Sequence, residues 1–245
     1  MAKINLERRA EIGREKRART KAQLIAAAKA LFSRGAWEAV TVDEVVNKAG
    51  VAKGTFYSHF NDLGELAAAV ADDLIQSLDD LIQRQRLTIP DPLLRVAFGC
   101  DSFIGKALED RSWALLVARM ARSYPAVGRG ARSRLSEDLR EALKQSPQAG
   151  LSLELGLEVA FGIVLQVTSA IGDDRLDERD RAGAVRSILA AIGISGRDAK
   201  SIGSRLAGFR RAAARSALKE DKGPLEAELR DPPVPLERAN AARAQ

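Results

Sequence analysis

The chain has 245 residues, of which 46% are hydrophobic, so it is long enough to bury a core and too apolar to be a disordered protein. Aromatic residues make up only 4%, and the abundant Ala, Leu, Arg and Glu favour helices over strands. The single cysteine, Cys100, excludes an intrachain disulfide and a thiolate metal cluster. Together with charged first residues that lack a secretion signal, it predicts a cytoplasmic protein.

Positive charge is concentrated at the two ends of the chain. Residues 1–60 hold 12 Lys and Arg against 6 Asp and Glu, and residues 196–245 hold 11 against 7. Residues 61–195 hold 16 against 20. This pattern predicts a polyanion partner for the N-terminal end, and charge alone leaves open nucleic acid or a membrane surface. The longest charge-free apolar segment, residues 159–172, is shorter than the roughly 20 residues of a bilayer crossing, so no membrane contact is predicted.

The N-terminal third predicts a basic arm followed by three helices. Residues 1–19 form the arm, which we expect to be flexible. A first helix begins at Thr20, and Gly35 is a suitable residue to end it. Its apolar positions recur at helical spacing: Leu24, Ala27, Ala28, Leu31 and Phe32.

Two short helices follow the first one. Thr41 and Glu44 have the spacing of a capping box, and Gly50 ends that helix after two turns. The next helix, roughly residues 52–60, has Phe56 and Phe60 as apolar anchors. Two short helices joined by a tight turn that contains glycine are typical of a helix-turn-helix.

The middle of the chain predicts further helices. Asp62 and Glu65 form a second capping box, which opens a helix whose apolar residues are Leu66, Val70, Leu74, Leu78 and Leu81. Two more apolar stripes follow Pro92 and end near Pro125. Residues 126–136 predict a loop, and helices are expected at residues 135–143, 153–171 and 179–192. The helix at 153–171 is apolar on several faces, which predicts burial on more than one side.

Residues 196–245 form a basic extension. Residues 197–219 hold seven Lys and Arg and one acidic residue, with Ile202, Leu206, Phe209 and Ala213 at helical spacing. Two interpretations stay open: a solvated helix that packs on the body, or a second contact with a polyanion. From about Lys222 the Pro- and charge-rich composition predicts disorder.

One segment carries a family resemblance. It contains Ala28, Leu31, Phe32, Gly35, the run from Ala39 to Val45, and the run from Ala49 to Phe60. In this order and spacing the segment resembles the DNA-binding part of the TetR family of bacterial transcriptional regulators. The resemblance implies an all-α protein with an N-terminal three-helix helix-turn-helix domain and a C-terminal helical domain for ligand binding and dimerisation.

The resemblance also implies roles for matching residues. Thr41 would cap the second helix and touch a phosphate, and His59 would approach the DNA backbone. Gly54 would let the recognition helix sit close to DNA. Lys53, Thr55 and Tyr57 would face the major groove. The chain departs from the family at Leu63, where a lysine is usual, which puts the phosphate contact at the start of the fourth helix in doubt.

Physical arguments support the same interface. Side chains in the first turn of a recognition helix reach base edges, and Lys53 and Thr55 lie there. A helix N-terminus also favours a phosphate. Arg17 and Arg19 precede the domain, and arginines on an arm can enter a narrow minor groove.

The residue types in the chain also indicate what an effector pocket would contain and whether a metal site or a catalytic site is expected. Pocket candidates are the apolar residues of the middle helices with a few polar groups: Phe98, Cys100, Phe103, Trp113, Met120, Phe161 and Gln166. Few aromatic residues and few buried charges predict a hydrophobic or modestly polar effector. One histidine and one cysteine give no support to a metal site. No catalytic constellation or cofactor-binding motif is recognisable, so we expect no enzyme activity and no cofactor.

The sequence thus predicts a homodimeric, DNA-binding regulator that recognises a palindromic operator. Its domains are expected at residues 1–19 (arm), 20–65 (helix-turn-helix), 66–195 (effector binding and dimerisation) and 196–245 (basic extension). The function expected is repression that a small-molecule effector releases. The alternative is an architectural, chromosome-associated DNA-binding protein without an effector.

Overall fold

The computed structural model describes residues 2–34, 36–145 and 150–220, with side chains described between residues 8 and 211. The chain divides into two units, Met1–Gly203 and Ser204–Gln245, and both candidate sites lie in the first. Within the described ranges every regular element is a helix, as the composition predicts. The predicted helix end at Gly35 and the predicted disorder from Lys222 fall outside these ranges. The ten α-helices of the described ranges are α1 (Ala2–Phe32), α2 (Val42–Ala49), α3 (Lys53–Tyr57), α4 (Leu63–Arg86), α5 (Pro92–Glu109), α6 (Arg111–Ser123), α7 (Arg129–Gln145), α8 (Leu153–Gly172), α9 (Glu178–Ala191) and α10 (Gly196–Glu220).

The first helix is longer than predicted. α1 runs without a break from Ala2 to Phe32, so the prediction of a flexible arm over residues 1–19 was wrong. Arg, Glu, Lys and Ala all have high helix propensity, and a helix already anchored at Leu24 extends through them at little cost. An apolar stripe could not reveal this part of α1, because the side chains of residues 8–19 are exposed.

The helix-turn-helix forms as predicted, with one shorter element. Thr41 and Glu44 make the capping box of α2, and Gly50 ends α2 in the left-handed conformation with φ 67°. α3 spans only Lys53–Tyr57. Phe56 and Phe60 are both buried, with ring centroids 5.9 Å apart. Val45 and Leu24 complete the small core that holds α1, α2 and α3 together.

α4 packs against α1 at one end and against α5, α6 and α7 further along. Asp62 caps it by accepting from Glu65 N. The predicted second capping box is incomplete, because the Glu65 carboxylate accepts from the backbone and side-chain nitrogens of Asn61 instead of Asp62 N. Leu66 and Val70 are buried as expected, whereas Leu81 is 54% exposed.

Four of the remaining helices pack on α8: α5, α6, α7 and α9. The loop predicted over residues 126–136 is wrong from its fourth residue onward, because α7 begins at Arg129, directly after Gly128 with φ 75°. α8 and α9 confirm the helices predicted at 153–171 and 179–192 to within one residue. The basic segment beyond residue 195 is also helical, as α10.

α8 is the one described helix long and apolar enough to cross a membrane, judged by length and composition alone. The prediction from residues 159–172 underestimated it, because the helix begins six residues earlier and includes Glu154 and Glu158. Only 33% of its most apolar window is buried within one chain. Core helices of soluble proteins share this composition, and four neighbouring helices already pack on α8.

Buried ion pairs join the helices of the body. Asp138 on α7 accepts from Arg86 at the end of α4, at 2.6 and 2.7 Å, and from Arg95 Nε on α5 at 2.7 Å. The hydrogen bond from Arg86 to Asp138 raises the pKa of Arg86. On the other side, Arg181 of α9 donates to both carboxylate oxygens of Asp101 on α5, each at 2.9 Å.

Removing the central carboxylate tests the first cluster. Asp138→Asn leaves two nearly buried guanidinium groups without their shared anion, so we expect a loss of about 3 kcal/mol in the free energy of unfolding. Urea unfolding followed by circular dichroism measures it. Glu141→Gln removes an exposed partner of Arg95 and should cost less than about 1 kcal/mol. Equal losses in the two variants would contradict this account.

Candidate functional site

The N-terminal end of α3 presents an exposed polar surface. Lys53 and Gly54 are exposed in its first turn, and Thr55 is half-buried. Tyr57 is 54% exposed although its ring packs edge-on against Phe56, with centroids 5.2 Å apart. An aromatic ring left this open on a small helical domain is available to a partner.

Asp43 on α2 holds the Lys53 ammonium in the free protein. The Nζ atom lies 2.9 Å from Asp43 Oδ1, and both side chains are more than half exposed. This hydrogen bond and the opposite charge raise the pKa of Lys53, so it stays cationic. An exposed pair of this kind is weak and exchangeable.

Thr41 is fixed by its cap. Its hydroxyl accepts from Glu44 N and donates to Glu44 Oε2, while Thr41 N donates to the same carboxylate at 2.7 Å. These bonds lower the pKa of Glu44. The exposed edge of Thr41 lies at the N-terminus of α2, where the helix dipole favours an anion.

A basic cleft adjoins the C-terminal end of α3. It is lined by Arg14, Arg17 and Lys21 of α1 and by His59. Arg17 Nη2 donates to the Ser58 carbonyl at 3.0 Å, and the Lys21 ammonium lies 5.6 Å from the Phe60 ring centroid. Burial, with help from Arg17 and Lys21, lowers the pKa of His59, so the imidazole is neutral at pH 7.

Four of the predicted DNA-contact residues share α3: Lys53, Gly54, Thr55 and Tyr57. Arg17 and His59 share the basic cleft, and Thr41 caps α2. Arg19 is exposed on α1 but does not line the basic cleft. Leu63 is the first residue of α4 and supplies no cation there. Sequence reasoning missed Lys21 as part of the cleft; the spacing of Arg14, Arg17 and Lys21, which places them on one face of a helix, could have identified it.

A second candidate site is a cavity of about 60 Å³ enclosed by α4, α5, α6, α7 and α8. Three of the predicted pocket residues line it: Cys100, Phe103 and Phe161. Burial raises the pKa of the Cys100 thiol to about 12, so it is neutral. The Arg132 guanidinium lies 5.1 Å from the Phe161 ring centroid.

The other four predicted pocket residues lie elsewhere. Phe98 and Met120 are buried away from the cavity lining. Trp113 packs beside Phe103, with centroids 6.1 Å apart, and lines an outer groove. Gln166 is exposed and accepts from Arg122 Nη2 at 2.7 Å. An apolar stripe indicates which residues are buried but not which neighbouring helix they face, so it could not separate these four from the lining.

The cavity also contains charged groups, so the expectation of few buried charges was wrong. Asp79 of α4 pairs with Arg134 of α7. Arg86, Arg95 and Asp138 contribute the ion-pair cluster that joins α4, α5 and α7. Their signal in the sequence is an acidic residue on an apolar helix face: Asp79 lies between Ile75 and Ile82 at helical spacing.

The chain matches two family models. Residues 24–70 match the model described as bacterial regulatory proteins, tetR family. Residues 91–205 match the model described as tetracyclin repressor-like, C-terminal domain. Together the two ranges span more than half of the chain. The chain belongs to the TetR family.

Solved structures and a curated relative agree with this assignment. RolR, solved in complex with the ligand resorcinol, is 26% identical, with a TM-score of 0.68 over 78% of this TetR-family chain and 96% of RolR. FadR from Bacillus halodurans, at 21% identity, has a TM-score of 0.54 over 71% of this chain and 94% of its own, and supports the fold alone. The transcriptional regulator TtgR of Pseudomonas putida is 35% identical over 68 residues. That match spans 28% of this chain and 32% of TtgR, so the chain covers about a third of the curated relatives' length.

In this TetR-family protein His59 offers a test based on pH. It is the only histidine, so no other side chain has an ordinary pKa between pH 6 and 8. A nearby DNA phosphate would favour the imidazolium, so DNA affinity should rise about threefold to tenfold as the pH falls from 8 to 6. Fluorescence anisotropy at constant ionic strength measures this, and His59→Gln should give a flat profile.

The folding stability of the free protein should change with pH in the opposite direction to its DNA affinity. Its lowered pKa lies below the ordinary value of 6.5, so the unfolded chain takes up the proton first and folding stability decreases as the pH falls below about 6.5. A wild-type DNA affinity that does not change with pH would place His59 away from the phosphates.

Proposed function

We propose that this protein is a sequence-specific DNA-binding transcriptional repressor that a small-molecule effector releases from its operator. The observation that carries this proposal is the exposed surface on α3, with Lys53 and Tyr57 facing away from the core on the second helix of a helix-turn-helix. Family membership supports the same function.

Gly54 supports a partner on this surface. A Cβ atom at Gly54 would meet no atom of the described protein within 4 Å, and Gly54 does not have a positive φ. Neither the packing within the chain nor the backbone conformation therefore requires glycine here. Close approach of DNA to the recognition helix accounts for it.

In the proposed complex each contact has a separate role. Lys53, Thr55 and Tyr57 reach base edges in the major groove, and Thr41 and His59 contact phosphates. Arg17, tied to the end of α3, brings a guanidinium beside the same phosphates. Arg19, on the exposed surface of α1, adds a further backbone or minor-groove contact.

α4 connects the DNA-binding surface to the effector cavity. Its cap, Asp62, follows the buried anchor Phe60 by two residues, and Asp79 and Arg86 of the same helix line the cavity. An effector that binds one position of α4 more tightly than another would shift the spacing of the recognition helices. RolR, solved in complex with resorcinol, supports a small-molecule effector for this chain.

The proposal includes a homodimer, built on α8 and α9. Leu155 of α8 is 52% exposed, and Gly162 and Val159 lie on the same open face. Only a third of the most apolar window of α8 is buried within one chain, and a second copy across a two-fold axis would cover the rest. Two recognition helices would then meet the halves of a palindromic operator.

The dimer has a matched test. Leu155→Glu places a charge in the proposed interface, so the mass from light scattering should fall from two chains to one at micromolar concentration. Leu81→Glu changes a leucine of similar exposure, 54%, on α4 and should leave the dimer intact. A wild-type mass of one chain would refute the dimer.

Operator binding is tested by fluorescence anisotropy across a salt series. Double-stranded DNA from upstream of the protein's own gene is compared with scrambled DNA, and we expect a preference of about 10³-fold or more. Lys53→Met should weaken binding to the upstream DNA about tenfold and reduce the preference over scrambled DNA, because Lys53 is proposed to contact base edges. Lys144→Met, an exposed lysine on α7, serves as the control and should change neither.

Equal and steeply salt-dependent binding to both DNAs would contradict specific recognition, because phosphate contacts alone behave in this way. That result would favour the architectural alternative, provided that genomic selection also returned no preferred site. The domain boundary near residue 65 and the cytoplasmic location belong to the same proposal.

A further inference from the structure

Thr168 of α8 is a buried hydroxyl without a hydrogen-bond partner. Its side chain is 1% exposed and lines the cavity. Threonine in a helix commonly donates to the carbonyl four residues earlier, yet Thr168 Oγ1 has no partner in the described part of the chain. Buried polar groups are almost always hydrogen-bonded in folded proteins, so this oxygen is available to a molecule in the cavity.

Arg134 of α7 offers a second unused group. Its Nη2 atom pairs with Asp79, whereas its buried Nε atom has no partner among the described residues. A guanidinium Nε–H is a donor only, and the Thr168 hydroxyl can donate or accept. A ligand that meets both groups needs an acceptor for Arg134 and a hydroxyl, or another acceptor, for Thr168.

The rest of the cavity lining favours a ligand with a flat, apolar ring. Phe103 and Phe161 supply aromatic walls. Gly99 of α5 also lines the cavity, and a Cβ atom there would meet nothing within 4 Å in the described structure. The cavity of about 60 Å³ has room for roughly four water molecules, which suits one substituted six-membered ring and excludes a long acyl chain.

Every charged group of the cavity lining is already in an ion pair. Asp79 is paired with Arg134, and Asp138 with Arg86 and Arg95. Glu137 and Glu141 provide further anions for the last two arginines. An ionised ligand would have to displace one of these partners, whereas a neutral ligand leaves every pair intact.

We infer that the effector is a small neutral ring compound carrying a hydroxyl group, held by hydrogen bonds to Thr168 Oγ1 and Arg134 Nε. This inference rests on the proposed function, because it identifies the chemical class of the effector. It assigns Thr168 as a residue that determines specificity and predicts that aliphatic chains and carboxylates are rejected.

Calorimetric titration of the full chain without DNA tests the inference. The probes are resorcinol and phenol, with toluene as the ring that lacks a hydroxyl and benzoate as the charged ring. We expect resorcinol and phenol to bind more tightly than toluene or benzoate. Thr168→Val keeps the shape and removes the hydroxyl, so it should weaken phenol about tenfold and leave toluene unchanged.

Ser169→Ala is the matched control. Ser169 is the neighbouring hydroxyl on α8, but it lines a different cleft between α6 and the segment at Trp37, so its loss should change none of the four affinities. In the absence of ligand, Thr168→Val should also keep or raise the melting temperature, because it removes an unpaired buried hydroxyl. A lower melting temperature would mean that the hydroxyl serves the fold.

Three results would overturn the inference: an unchanged preference for phenol over toluene in Thr168→Val, tighter binding of benzoate than of phenol, or no binding of any ring. Failure of the proposed function is distinguishable from these results, because the titration contains no DNA. A protein that prefers its operator but binds no ring compound keeps the proposed function and loses only this effector class.

Discussion

The structure depends on one helix that belongs to two cores. α4 has 24 residues and extends about 36 Å, which is long enough for its first turns to complete the core of the helix-turn-helix while its last turns enter the body. Leu66 and Val70 are buried at one end, and Ile75 and Ile82 at the other. Because both sets are on one rigid element, neither core can move α4 without the other core accommodating the change. Any coupling between cavity and DNA surface must use this helix or the contacts beside it.

The contacts beside α4 near the junction of the DNA-binding domain and the body include ion pairs and hydrogen bonds between specific groups. Arg119 of α6 pairs with Glu38 and lies 5.4 Å from the Trp37 ring centroid, which joins the body to the turn between α1 and α2. Asp72 of α4 accepts from Gly128 N at 2.9 Å, at the entrance of α7. Packed helices can slide by small amounts between two arrangements, and such a shift would make or break these bonds. A small displacement of α4 at this junction would therefore break one of these bonds.

Apolar periodicity predicted the helices whose buried faces are hydrophobic. The capping box at Thr41, the glycine end at Gly50 and the limits of α8 all followed from local rules that depend on a few neighbouring residues. The same periodicity predicted only residues 135–143 of α7, because Arg134 and Asp138 face inward as members of ion pairs and interrupt the apolar stripe. It also failed for the first part of α1, which faces solvent and is helical through propensity.

The two candidate sites also differ in how far the sequence could predict them. Lys53, Thr55 and Tyr57 could be placed from sequence, because their positions on a short helix are fixed by the anchors Phe56 and Phe60. The cavity could not be predicted from the sequence. Its lining comes from five helices, and no local rule determines how these helices are rotated relative to one another. Asp79 shows what information was available: a carboxylate inside an apolar stripe predicts a partner but leaves the identity of that partner, Arg134, to the tertiary fold.

The pair of Asp43 and Lys53 has a consequence for how such a protein would search a genome. In the proposed complex, Lys53 would exchange the Asp43 carboxylate for a base edge or a phosphate. That exchange would weaken nonspecific encounters slightly, and so shorten the time spent on the large excess of unrelated DNA. An acidic residue beside the recognition helix would thus increase the fraction of protein free to find its operator.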